Sequence, residues 1–262
     1  MPRFAIYYVP PKESEFYCLG SQIVGYDVRA RKLVELGKDL KKLLGSFDTK
    51  WVKHARPFGF HLTIGDAIDF EGDIKEIKQD IEREIEIILN CFNPSHWFEL
   101  TMRKENFVTI YRTKRGDAIV LRYDPNEYLK LFSTLVVSRV NTLGTGSGFL
   151  KRFKEDPAKY YLHQGHRILN FYAQYIFDDY SPHFTLLDPY TGNDHDRLRR
   201  TFSKIFRPFS HMYLDTICLL FQKERDKNWE ICREFDLNCF PTLCKIVVER
   251  MKKISVEVRK YE

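Results

Sequence analysis

GFHLTI at residues 59–64 and SPHFTLL at residues 181–187 carry the same triplet, His-x-Thr, with an apolar residue between the polar pair and another after it. In a β-strand successive side chains alternate between faces, so His61 and Thr63 share one face while Leu62 and Ile64 turn to the core. His183 and Thr185 repeat the arrangement. An imidazole exchanges a proton near neutral pH, and a hydroxyl beside it donates to an oxyanion. Each triplet is therefore half of an acid/base site for a phosphate ester. A lone His-x-Thr is more simply a partly buried His beside a satisfied hydroxyl. With 8 His and 13 Thr in the chain, random order yields about 0.4 triplets, fewer with the apolar neighbours required, so two copies read as a pair.

The surroundings of the two triplets also match. After the first, DFEGD leads into IKEIKQDIEREIEIILNCF at 74–92, whose Ile74, Ile77, Ile81, Ile85 and Ile88 make one apolar face behind a capping start at Asp73 and Glu76. FELTMR, FVTIYR and AIVLRYD then read as strands joined by tight turns. After the second, DRLRRTFSKIFRPF at 196–209 carries Leu198, Phe202, Ile205 and Phe209 on one face, and MYLDTICLLFQ and WEICREFDL follow as strands. Motif strand, polar loop, amphipathic helix and paired strands thus occur twice. The pattern predicts an α+β protein of two duplicated lobes, each a mostly antiparallel sheet with outer helices. The expected organisation is one bilobal domain over 1–262, with lobe 1 near 1–124, a helical connector near 125–178, lobe 2 near 179–240 and a C-terminal helix near 241–262.

RFAIYYV at 3–9 reads as a strand closed by Pro10 and Pro11. VRARKLVELGKDLKKLL at 28–44 reads as one or two short helices interrupted at Gly37. GTGSG at 144–148 lacks the lysine and spacing of a phosphate loop and reads as a flexible connector.

With 44% hydrophobic and 15% aromatic residues the chain is globular, and no apolar run approaches 18 residues, so no membrane span and a cytoplasmic location are expected. A net charge of +6 favours anionic substrates, yet Lys and Arg mix with Asp and Glu instead of forming a nucleic-acid stripe. Six cysteines without a CxxC read as free thiols; Cys232, Cys239 and Cys244 lack ligand spacing for a metal. His163 and His166 could share a helix face, but no carboxylate or Cys stands suitably near to complete a metal site.

The doubled motif on strands of two repeated units resembles the 2H phosphoesterase superfamily, named for its pair of His-x-Thr/Ser motifs. The opening RFAIYYVPP, with LGSQIVGYD and FGFHLTI after it, looks like a branch of that superfamily encoded in bacterial phosphonate-use operons. The resemblance implies a central groove between the two lobes and metal-independent chemistry, without a cofactor, on 2′,3′-cyclic nucleotides, RNA ends or a ribose cyclic phosphate. It implies His61 and His183 as the catalytic pair and Thr63 and Thr185 as phosphate ligands, with no obligate protein partner. A cation and aromatic rings are expected around them, and Tyr8, Arg122, Tyr123 and Tyr190 are the candidates. Two other readings stand beside this one. The first is a module that binds RNA ends or phosphorylated nucleotides without turnover; the second is a metal hydrolase using the two His with Asp66, Asp69 or Asp188. Intact proton-transfer pairs favour the enzyme, and hard-metal sites need several converging carboxylates where this chain has threonines.

Overall fold

The computed structural model describes residues 1–92 and 97–237. The helix expected over 241–262, with Cys239 and Cys244, lies outside the described residues. In chain order the strands are β1 (Arg3–Tyr8), β2 (Tyr26–Asp27), β3 (Lys32–Leu33), β4 (Leu62–Asp69), β5 (Glu99–Met102), β6 (Val108–Tyr111), β7 (Asp117–Pro125), β8 (Gly146–Ser147), β9 (His183–Tyr190), β10 (His211–Tyr213), β11 (Thr216–Gln222) and β12 (Glu230–Asp236). The α-helices are α1 (Glu15–Val24), α2 (Lys38–Leu44), α3 (Ile74–Asn90), α4 (Glu127–Arg139), α5 (Gly148–Glu155), α6 (Leu162–Phe171) and α7 (His195–Phe206). The fold is α+β, and the ladders between these strands are antiparallel.

Ten strands form one sheet in the order β10-β5-β7-β9-β4-β1-β11-β12, with β6 on β7 and β8 on β4. The two motif strands, β4 and β9, are neighbours at its middle. On either side of that seam the order is symmetric: β9 is flanked by β7 and β4 by β1, and each flanking strand leads to its motif strand through a long connection that begins with a helix, α4 or α1. Each motif strand is followed by a short loop and an amphipathic helix, α3 or α7. The lobes expected over 1–124 and 179–240 are interleaved instead. The strands that follow the first motif, β5 to β7, build the half-sheet of the second, and β11 and β12 complete the half-sheet of the first. Strand-pairing partners are chosen by long-range packing that local pattern does not encode.

The core side of the motif strands is as alternation requires: Leu62, Ile64, Phe184 and Leu186 are all buried. The Phe184 ring meets Phe16 of α1 at 4.9 Å and Phe60 at 4.8 Å. Helix α4 docks over β4, where the buried Ser133 hydroxyl donates to the Ile64 carbonyl at 2.8 Å. Gly65 permits this approach, since a Cβ there would stand 2.8 Å from Val136 Cγ1. Helix α3 starts where Asp73 accepts from the backbone N–H of Lys75 and Glu76, and it buries Ile81, Ile85 and Ile88.

Two local expectations are corrected. Residues 28–37 are not helical: α1 ends at the left-handed Gly25, a short β2–β3 hairpin follows, and Gly37 is the extended N-cap of α2. Leu33 there is 68% exposed, so the leucine spacing is not a buried stripe. The 144–148 segment is not a free connector either. Gly146 and Ser147 pair with Asp69 and Ile68 of β4, and Ser147 caps α5 by accepting from the Leu150 N–H.

Candidate active site

The register between the motif strands decides the geometry. Leu62 pairs with Phe184 in an antiparallel ladder, so His61 falls opposite Thr185 and Thr63 opposite His183, all on the same face of the sheet. Each His is thereby set beside the other motif's Thr. All four side chains line one cleft of about 410 Å³.

The two imidazoles are held alike. His61 Nδ1 lies 2.9 Å from the Gly59 carbonyl oxygen, and His183 Nδ1 lies 2.9 Å from that of Ser181. A carbonyl only accepts, so each Nδ1 keeps its hydrogen and each neutral ring carries its lone pair on Nε2. Gly59 reaches this geometry with φ of 71°, a conformation that glycine adopts without a Cβ penalty.

Their surroundings differ. His61 is stacked on Tyr7 at 3.9 Å and 18°, with Phe58 beyond at 6.0 Å. Burial among these rings pushes its pKa down to about 4; the Gly59 hydrogen bond opposes that, and a charge on His183 adds to it. Burial also lowers His183, with the Ser181 carbonyl acting against the shift and the Arg122 guanidinium reinforcing it. Both rings of the free protein are therefore neutral at pH 7.

No protein-family profile matches the sequence, and no curated protein sequence matches it. Among solved structures the chain is similar to the crystal structure of E. coli LigT in its apo form, with a TM-score of 0.39 and 10% identity over 90% of this chain and 98% of that one. A likeness at that level carries no argument. The chemistry rests on the cleft's own residues.

Of the side chains expected to line the cleft, Arg122 stands beside it and the three tyrosines do not reach it. Arg122 pairs with His183 in register, on the same face of the sheet, and donates to the Ser181 hydroxyl at 2.9 Å. Tyr8 sits opposite Leu62 and turns with it into the core. Tyr123 is fully buried and donates to the Phe209 carbonyl. Tyr190 packs against Trp51 and His195, and its hydroxyl accepts from the Asp194 N–H. Strand β1 is buried along its whole length, so hydrophobic pattern gave no parity for choosing Tyr7 over Tyr8.

The cleft holds further groups that the sequence did not mark. Arg3 donates to Gln222 and lies over Trp229. His54, between the 3₁₀ turns Thr49–Val52 and Arg56–Phe58, has Nδ1 3.2 Å from an Asp188 carboxylate oxygen, and its backbone N–H donates to the Asp188 carbonyl. Phe149 and Arg152 enter from α5, so the connector is part of the wall. Asp69 is not in the cleft and is held by Arg225 at 2.6 Å. Among the described residues no group of three or more His, Cys, Asp and Glu is placed to hold a metal ion. His163 is an exposed residue 3.7 Å from an Asp179 oxygen, and Cys18, Cys91, Cys218 and Cys232 are free thiols. No helix among the described residues is long and apolar enough to cross a membrane.

Proposed function

We propose that the chain is a metal-independent phosphoesterase that opens 2′,3′-cyclic nucleotides, cyclic phosphates at RNA ends or a ribose cyclic phosphate by two-histidine acid/base catalysis. The observation that carries this reading is the Leu62–Phe184 register, which gives each His the opposite motif's Thr as its neighbour. In-line hydrolysis forms one P–O bond and breaks another. One base must take the proton from water, and one acid must protonate the departing ribose oxygen. His61, kept neutral by burial in its aromatic stack, takes the water proton on Nε2. His183 enters protonated through the negative charge of the bound phosphate and releases its proton to the leaving oxygen. Thr63 and Thr185 donate to the non-bridging oxygens, where charge develops. Arg3 and Arg152 supply the positive field for an anionic substrate.

The test is turnover of 2′,3′-cyclic nucleotides, 2′,5′-linked oligonucleotides and ribose cyclic phosphate in excess EDTA, followed by phosphorus NMR with His61→Ala protein as blank. Monoester product from the wild type and none from the blank is expected. Binding without turnover would leave a nucleotide-binding module in its place, and activity lost in EDTA but restored by Zn²⁺, Mn²⁺ or Mg²⁺ would transfer the chemistry to a metal.

A further inference from the structure

The cleft contains two carboxylates, and the phosphoryl chemistry uses neither. Asp188 is engaged by His54. Asp66 makes no hydrogen bond or ion pair among the described residues; Arg152 acts on its charge from a distance and draws its pKa down against burial, which lifts it to about 6. Strict alternation from His61 and Thr63 would turn residue 66 to the core. The β1–β4 ladder is irregular at this point, with Ile6 opposite Gly65 but Tyr7 opposite Thr63. Such a bulge re-aims side chains, and both Asp66 and Ala67 line the cleft.

A half-buried carboxylate without a partner is costly unless the ligand supplies donors. The phosphate cannot, because it is an anion itself. The donors must come from an uncharged part of the substrate beyond Thr63. Phe58 and Phe149, both partly exposed in the same lining, offer ring faces on which a base can stack. A carboxylate presents two acceptor oxygens, and guanine is the one common base whose pairing edge offers two adjacent donors, N1–H and N2–H, next to an acceptor, O6. Adenine, cytosine and uracil each offer a single donor group there.

Resting on the phosphoesterase reading of the same cleft, we infer that Asp66 and Arg152 read the edge of a guanine base, Asp66 accepting from N1–H and N2–H and Arg152 donating to O6. The substrate class is then a guanosine 2′,3′-cyclic phosphate, free or at an RNA end.

The experiment compares kcat/KM for the four 2′,3′-cyclic nucleotides in the wild type, Asp66→Asn and Asp66→Ala, with calorimetric binding of guanosine and adenosine 3′-monophosphates to the same proteins. The expected wild-type preference for guanosine is about ten- to a hundredfold, the scale of charged hydrogen bonds to a base edge. Asp66→Asn, which keeps the shape of the side chain, should lower the guanosine value by that factor more than it lowers the other three. Equal losses on all four bases, or a wild type without base preference in turnover and binding, would overturn the assignment. Guanosine-selective binding abolished by Asp66→Asn, with no cyclic nucleotide turned over, would keep the base reader and sink the phosphoesterase reading. Turnover without base selectivity would do the reverse.

Discussion

His61 and Asp66 line one cleft yet respond to acid in opposite directions, which makes their burial measurable without any substrate. His61 titrates near 6.5 in an unfolded chain and near 4 in the fold. Between those values the unfolded chain binds more protons, and stability falls as pH falls. Asp66 titrates near 3.8 unfolded and near 6 folded; between those values the fold binds more protons, and stability rises as pH falls. Integrated from pH 7 to pH 5 at 1.36 kcal/mol per unit, His61 costs up to about 2 kcal/mol and Asp66 returns up to about 1 kcal/mol. Asp66→Asn should therefore deepen the acid loss of stability by about 1 kcal/mol relative to wild type, and His61→Gln should reduce it by about 2 kcal/mol. His183 is lowered like His61 and is present in all three proteins, so it enters the comparison only through its charge coupling to His61. The assay is urea unfolding at pH 7, 6 and 5, extrapolated linearly, with coincident fluorescence and circular dichroism transitions as the two-state check. Equal pH slopes in the three proteins would refute the account of how the cleft buries these groups.

Three further outcomes are expected. Replacing His61 or His183 by Ala should each lower kcat by about 10² to 10⁴, and the double variant should lose much less than the product of the singles because the pair acts as one unit; single-turnover rates on a cyclic nucleotide check it. The pH profile of kcat/KM should peak on the acid side of 6.5 and decline above it, since the protonated partner is lost as pH rises through a lowered His183 pKa while His61 stays a competent base down to about 4; a plateau that extends unbroken above pH 8 would contradict it. Phe184→Ala should cost about 3 to 5 kcal/mol in urea unfolding, as its ring is fully buried against Phe16 and Phe60.

Elements with strong periodicity were legible in the sequence. Strand β4 with Leu62 and Ile64 inward, helix α3 behind Asp73, helix α7 and strands β5 to β7 all stand where alternation and capping put them. Pairing was not legible, because nothing local in β5 or β11 says which motif strand it will join. The site was half legible. The two triplets name four residues that the register unites on one face, whereas the rest of the lining depends on features with no local code. Tyr7 and Tyr8 differ only in parity along a fully buried strand. Asp66 reaches the cleft through a bulge, and Phe149 and Arg152 arrive on a helix from the connector.

The exchange of strands between the two halves also bears on how the chain is made. Strand β1 pairs with β11, and Arg3 bonds to Gln222 across 219 positions. A ribosome adding about 5 to 20 residues per second needs roughly 10 to 45 s to carry synthesis from one to the other. During that interval the nascent first half presents β1 as an unpaired edge, the kind of surface that recruits other chains. Release of a chain truncated after β9 would leave that edge bare for good. Such fragments should enter inclusion bodies, whereas chains that extend through β12 carry their own cover for it.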